Sequence, residues 1–426
     1  MPKTLAPPSP LASEQADIAC PFCGLLCDDL ALAEALGPAH PPRNACPRAQ
    51  LGYAAAELTG SPGIAGKPAE FEAALSAAIR LLRASKRPLF SGLGSDVQGL
   101  RALFKLAERC GAVVDHMHSG ALNSSLRVLQ SRGWHTTTLG EVQNRADLVV
   151  ILGVDLDRGF PRFLARHLAG RDALQPARRA QRRVVYLGPR THAPTCPAEL
   201  PLEVLPTPLA QLAESLRTLQ GLLQGIPLPR ARKTTALEPL AARIAAAEYP
   251  VFVWAPGQLP AMLSDLVIAA ACELVAQINR TRRAAGLALG GDDGAQSALA
   301  VSAWLTGFGT GVGFSRGALE PQGDLGGSAA ALAEGGSDLI LHLSSFSQAR
   351  LPVTDKPRIV LAPPGFAPHE APDVYLPIGM PGVDHPGQLI RTDGVVALPL
   401  RALRPARHPT AASVLQRLHA ALERKS

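Results

Sequence analysis

Residues 147–155 read DLVVILGVD, an apolar run closed at each end by aspartate. Five consecutive apolar side chains leave no wet face, so the run is a strand covered on both sides of a sheet. The same pattern stands at residues 183–188 (RVVYLG), and again at 338–344 (DLILHLS) and 357–363 (PRIVLAP). Each pair has an opener upstream: residues 87–94 (RPLFSGLG) before the first, residues 249–257 (YPVFVWAPG) before the second. A helix over 97–110 follows the first opener, with Leu100, Leu103, Phe104 and Ala107 on one face. Apolar strands alternating with helices give parallel sheets covered on both faces. The expected fold is α/β: two related, doubly wound, Rossmann-like domains. Residues 68–223 would form one and 236–426 the other, joined through a Gly- and Pro-bearing linker at 220–235.

Ligands of such sheets sit at the carboxyl ends of the strands, where strand order reverses. The loops at 91–99, 153–161, 188–195, 255–260 and 344–350 are therefore the places for a site. None carries a GxGxxG fingerprint, so no nicotinamide site is expected.

Residues 1–67 are different. Cys20, Cys23 and Cys27 are followed after 18 residues by Cys46-Pro47. Closely spaced thiolates on a turning chain can converge on one centre, and iron–sulfur clusters take four of them. The three-plus-one grouping points to a [4Fe–4S] cluster; zinc, which uses the same ligands, and empty thiols are the alternatives. Cys110, Cys196 and Cys272 read as ordinary buried thiols. Asp28 and Asp29 read as a turn or a helix start.

The net charge is a modest +7, and aromatics make up only 4% of the chain. That composition disfavours single-strand nucleic-acid binding, which stacks bases on rings. Arginines concentrate at 158, 162, 166, 171, 178, 179, 182, 183 and 190, with Asp172 the one acidic residue in that span. They read either as a solvated face or as a dock for an acidic partner. Residues 259–278 are the most apolar stretch, but Asp265, Glu273 and Gln277 make it a buried helix and not a membrane span. With no targeting segment read at 1–19, the expected compartment is the cytoplasm.

The cysteine head CPFCGLLCDD (20–29), Asn44-Ala45-Cys46, PRFLARH (161–167) and GAQSALAVSAWLTGFGTGVGFSRG (294–317) spread a resemblance along the whole chain. Trp304, Thr306-Gly307 and Phe314-Ser315-Arg316-Gly317 look like the W-x-TG and DFSRG signatures of the molybdopterin and tungstopterin oxidoreductases. Within these the chain most resembles the B subunits of formylmethanofuran dehydrogenase. In particular it resembles the degenerate B subunit of the bacterial formyltransferase/hydrolase complex. The resemblance implies partner subunits of A, C and D type and a place in tetrahydromethanopterin-linked oxidation of formaldehyde to formate.

The same resemblance exposes departures. The loop 91–99 holds Ser95, Asp96 and Gln98 but no thiolate for a metal. Val154-Asp155-Leu156-Asp157 stands where the family has Asn-Pro. No Asp precedes Pro189-Arg190, and Gly291-Asp292-Asp293-Gly294 lacks the usual Asn. A lost metallopterin site is therefore expected, leaving a scaffold with no catalytic or pterin-binding residue of its own and with Cys20, Cys23, Cys27 and Cys46 as metal ligands. Two other readings remain. One is an active molybdenum or tungsten formylmethanofuran dehydrogenase subunit, with His116, His118 and Arg190 near the pterin. The other is a zinc-binding adaptor.

Overall fold

The computed structural model describes residues 15–32, 42–169, 181–226, 237–315, 318–321, 328, 331–332 and 336–423. The strand Leu148–Leu152 is buried at every position, as its apolar run requires. It is the centre of a five-stranded, all-parallel sheet in the order Ala285–Ala288, Pro250–Trp254, Leu148–Leu152, Arg183–Gly188, Leu202–Pro206.

A nine-stranded sheet holds the other runs. Its parallel core is Val113–Val114, Leu89–Gly94, Ile340–Ser344, Arg358–Ala362 and Val374–Pro377. Antiparallel strands extend it on both sides: Val312–Ser315 and Ala318–Pro321 beyond Val113–Val114, Gly63–Ile64 and Lys67–Pro68 beyond Val374–Pro377. The two five-stranded parallel cores are equivalent strand for strand. In each, an opening βαβ unit lies beside three further strands, and the order reverses between the opener and the apolar central strand.

The internal likeness read from the sequence is present, but the pairing is exchanged. The opener Leu89–Gly94 pairs with Ile340–Ser344, Phe90 opposite Leu341. The second opener, Pro250–Trp254, pairs with Leu148–Leu152, Val251 opposite Val149. Strands from residues 68–223 and from 236–426 thus share both sheets, and the sheets do not divide along those two consecutive segments. The reason is physical: all four central strands are apolar on both faces, so local pattern marks each as interior without specifying its neighbour.

Helices form where the periodicity placed them. Asp96 caps the helix Val97–Cys110 by accepting from Gly99 N at 3.1 Å, and Gly111, at φ 65°, ends it. Leu100, Leu103, Phe104 and Ala107 are buried in one core with Val414, Leu415 and Leu418 of the helix Ala411–Glu423. Each large side chain buried there contributes about 1.5–3 kcal/mol. The apolar stretch at 259–278 becomes the helix Ser264–Ile278, with Val267, Ile268, Ala271, Leu274 and Val275 inside. Among the described residues no helix is long and apolar enough to cross a membrane. The linker read at 220–235 begins inside the helix Leu212–Leu223, and residues 227–236 lie outside the described set.

Candidate functional site

The head segment folds through its own backbone. Cys20 N donates to Cys27 O at 2.8 Å and Leu26 N to Cys23 O at 3.1 Å, so the chain doubles back between the first three cysteines. Leu26 takes φ 44° to make that turn. Cys46 arrives separately as the N-cap of the helix Pro47–Ala56, with Pro47 at its first position. Phe22 packs edge-on to Tyr53 at 4.9 Å between ring centroids and fixes the loop to that helix.

Cys20, Cys23, Cys27 and Cys46 line one cavity, together with Leu25, Leu30, Ala49 and Arg162. Its inner void is about 10 Å³, near the size of one water. Among the described residues no group of three or more His, Cys, Asp or Glu side chains closes tightly enough to hold a metal ion. Burial, then the neighbouring thiolate of Cys27, pushes the Cys23 thiol up to about 12. Burial likewise raises Cys20, with Cys23 adding to it. Burial also raises Cys27, against the opposing pull of the Arg166 and Arg162 guanidiniums. Without a cation these groups stay protonated; a bound metal would replace their protons.

Asp28 and Asp29 do more than start a turn. Arg162 grips Asp29 with two parallel bonds of 2.6 Å, and Arg166 bonds both Asp28 and Asp29. Both arginines belong to the segment 161–167, where a π-helical turn covers Leu164–Leu168. Arg182, in the same basic run, is buried and donates to the carbonyls of Ala146, Leu168, Val142 and Gln143. Three of the clustered arginines are therefore committed inside the fold, while Arg171, Arg178 and Arg179 lie outside the described residues.

Behind the cysteine loop lies the segment 290–294. Thr392 N donates to Gly24 O at 2.8 Å, and Gly24 N reaches Asp292 Oδ1 at 3.3 Å. A Cβ on Gly24 would lie 1.6 Å from Gly290 O, so the two backbones touch. Arg48, two residues past Cys46, donates to Asp292 Oδ2 at 2.9 Å and to Gly159 O at 3.2 Å. On the next residue, Asp293 Oδ2 meets His118 Nε2 at 2.8 Å. Burial would raise Asp293, but the His118 bond prevails and lowers it; burial would lower His118, and Asp293 reverses that and raises it. His116 is fully buried against Asp293 O at 3.2 Å, and burial, with His118 nearby, drives it down to about 4.

The opposite side of this segment faces a cavity of about 390 Å³ at the carboxyl ends of Pro250–Trp254 and Ala285–Ala288. Strand order reverses on the other side of Pro250–Trp254, between it and Leu148–Leu152, and Phe160 from the loop after Leu148–Leu152 brings the cavity up to that switch point. Leu122, Leu126, Phe160 and Leu299 give it apolar walls; His118, Gln258, Asp292 and Asp393 give it polar groups. Gln258 is spent on Asp155, accepting from its N–H at 2.7 Å. Asp393 is spent on Arg391 at 2.6 Å. Two of the loops expected to hold a site, 153–161 and 255–260, thus reach this cavity.

In the loop 91–99, Ser95 is fully buried and the Asp96 carboxylate is used as the helix cap. Gly294, at φ 69°, lies so close that a Cβ there would meet Ser95 O at 2.6 Å. Thr306-Gly307 of the signature segment is a helix stop: Thr306 Oγ1 donates to Ser302 O, and Gly307 takes φ 79°. Arg316 and Gly317 lie outside the described residues. Arg190, exposed on a short turn, is not among the residues lining either cavity. Arg48 belongs to no motif, with only its spacing from Cys46 to hint at it, and Asp292 and Asp293 stand out in the sequence only as the place of a missing Asn, with no sign of their partners.

No protein-family model matches the chain. Curated relatives do. The B subunit of the formyltransferase/hydrolase complex Fhc of Methylorubrum extorquens is 29% identical over 368 residues, covering 83% of this chain and 96% of the relative. The B subunit of tungsten-containing formylmethanofuran dehydrogenase 2 of Methanococcus maripaludis is 27% identical over 409 residues, 89% of this chain and 92% of the relative. Its counterpart in Methanocaldococcus jannaschii is 26% identical over 407 residues. Among solved structures, a chain of the formyltransferase/hydrolase complex FhcABCD from Methylorubrum extorquens, in complex with methylofuran, matches with a TM-score of 0.72. It is 28% identical, and the match covers 86% of this chain and 99% of that one. The resemblance carried by the motifs stands: the relatives are B subunits of these two kinds of complex.

Proposed function

We propose that this chain, a homologue of the B subunits of formyltransferase/hydrolase and formylmethanofuran dehydrogenase complexes, is the B subunit of a formyltransferase/hydrolase complex. It acts in tetrahydromethanopterin-linked oxidation of formaldehyde to formate, in the cytoplasm, beside subunits of A, C and D type. The observation that carries this is the match over nearly the full length of a chain solved within FhcABCD, 99% of it.

Its role there is that of a scaffold. The residues of the pterin-facing loops do not fit a metallopterin. Asp96 caps a helix, Asp292 pairs with Arg48, Asp293 pairs with His118, and the loop 91–99 has no thiol. What supports a metal centre is the donor set: four thiols line one cavity, and a [4Fe–4S] cluster takes four thiolates, one at each iron. Such a group would widen the small void and tie residues 18–32 and 42–56 to the sheets.

Affinity purification of the tagged chain from its own host tests the assignment. The A-, C- and D-type subunits are expected to co-elute with it, and the complex to release formate. Elution of the chain alone, with formyltransferase activity in other fractions, would overturn it. The tungsten-containing relatives favour a second reading, an active formylmethanofuran dehydrogenase subunit. One molybdenum or tungsten bound per chain would establish that reading in place of the scaffold.

A further inference from the structure

We infer that the cavity between the helices Ser119–Arg132 and Ala295–Thr306 is a binding site for an uncharged, flat ring compound and rejects phosphate-bearing ligands. The inference does not depend on what the four cysteines hold.

Leu122, Leu126 and Leu129 of the first helix and Leu299 of the second line this cavity. Their spacing puts the first three on one stripe of the helix. Trp134 adds a ring. It is half-buried, lines the cavity and stacks on the buried Trp254, with 5.4 Å between centroids and 19° between planes. A ring braced in this way is a stacking platform already in place. The volume of about 390 Å³ exceeds twice the ~150 Å³ of an apolar cavity that holds one benzene, so a fused ring system fits. The polar groups decide the charge of the ligand. Among the described residues no Lys or Arg lines the cavity. Each carboxylate that reaches it already holds a cation: Asp292 holds Arg48, and Asp393 holds Arg391. His118 is held by Asp293 at 2.8 Å, and Gln258 accepts from the Asp155 amide. The helix Ala295–Thr306 begins at the inner end of the cavity, and a helix N-terminus favours an anion. Asp292 and Asp293 stand just before that helix, so the chain supplies the negative charge itself. An anionic ligand would meet two carboxylates, with no unpaired cation in the lining to offset its lost hydration. An uncharged ring loses no such hydration and gains from burial of its apolar area. Leu129, 44% exposed, stands at the mouth.

The test uses two matched fluorescent probes, uncharged N-phenylnaphthylamine and anilinonaphthalene sulfonate, the same ring system with one sulfonate added. Each is titrated into the full chain and into the complex purified with it. The uncharged probe should bind at one site per chain, roughly tenfold or more tightly than the sulfonate. Sodium pyrophosphate should not displace it. Leu299→Gln and Leu129→Lys should each weaken the uncharged probe about fivefold. Leu129 is exposed, so its replacement leaves the fold intact, and the added cation should narrow the gap between the probes. Trp304→Ser, on an exposed patch outside the lining, should change neither affinity. No binding, equal binding of the two probes, displacement by pyrophosphate, or binding that survives both cavity variants would overturn the inference. So would binding to the free chain and not to the complex, which would make the cavity a contact between subunits.

Discussion

Single residues carry the chemistry of the head segment. Cys23 is buried, so replacing it with Ser would remove one of the four proposed ligands and leave a polar group inside. Cys23→Ser should strip the metal and lower the melting temperature by several degrees, on the order of 2–4 kcal/mol. An unchanged melting curve with unchanged metal would show that the thiol is not a ligand. Buried histidines set the acid limit. His116 and His342 have folded-state values of about 4, below the ordinary 6.5, with burial the leading cause for each. The unfolded chain then binds more protons than the folded one between those values. Stability should be full above about pH 6.5 and fall as pH drops toward 4, by up to roughly 3 kcal/mol per histidine. Urea titrations across that range check the slope, and a double H116Q/H342Q variant should make it shallower, leaving the share of His167, which burial drives down to about 3.

At the scale of elements, the contact between the cysteine loop and the segment 290–294 matters most. Gly24 is required there because its neighbour is backbone: the 1.6 Å approach to Gly290 O leaves no room for a methyl group. Gly24→Ala should cost about 3 kcal/mol or more and push the loop off Asp292, since a carbonyl cannot move aside as a flexible side chain can. Chemical denaturation with thiol accessibility as a second probe measures both effects. A neutral outcome would mean that the two segments do not touch. The cysteine motif can be read directly from spacing, and so can the helix over 97–110, because both are local patterns. The Arg48–Asp292 and His118–Asp293 pairs cannot, because 244 and 175 residues separate the partners. Asp28 and Asp29 read as turn residues for the same reason: Arg162 and Arg166 are far along the chain.

For the molecule as a whole, every central strand is legible in the sequence and their partnership is not. Apolar runs mark Leu89–Gly94, Leu148–Leu152, Pro250–Trp254 and Ile340–Ser344 as interior, yet nothing local says that the first joins the fourth and the second joins the third. The exchange has a consequence for folding. Residues 134–306 contain all five strands of the smaller sheet, whereas residues 68–223 contain only part of each. A fragment spanning 134–306 should fold cooperatively, and one spanning 68–223 should not, as circular dichroism melts and amide dispersion would record. Cooperative folding of the second fragment alone would contradict the topology.

The central claim is a B-type scaffold that keeps a cysteine-bound centre without a metallopterin. Elemental analysis of the anaerobically purified complex tests it most directly. The account predicts about four iron atoms per copy of this chain, as a [4Fe–4S] cluster requires, with neither molybdenum nor tungsten. Molybdenum or tungsten at one per chain, or cysteines with no iron at all, would contradict it.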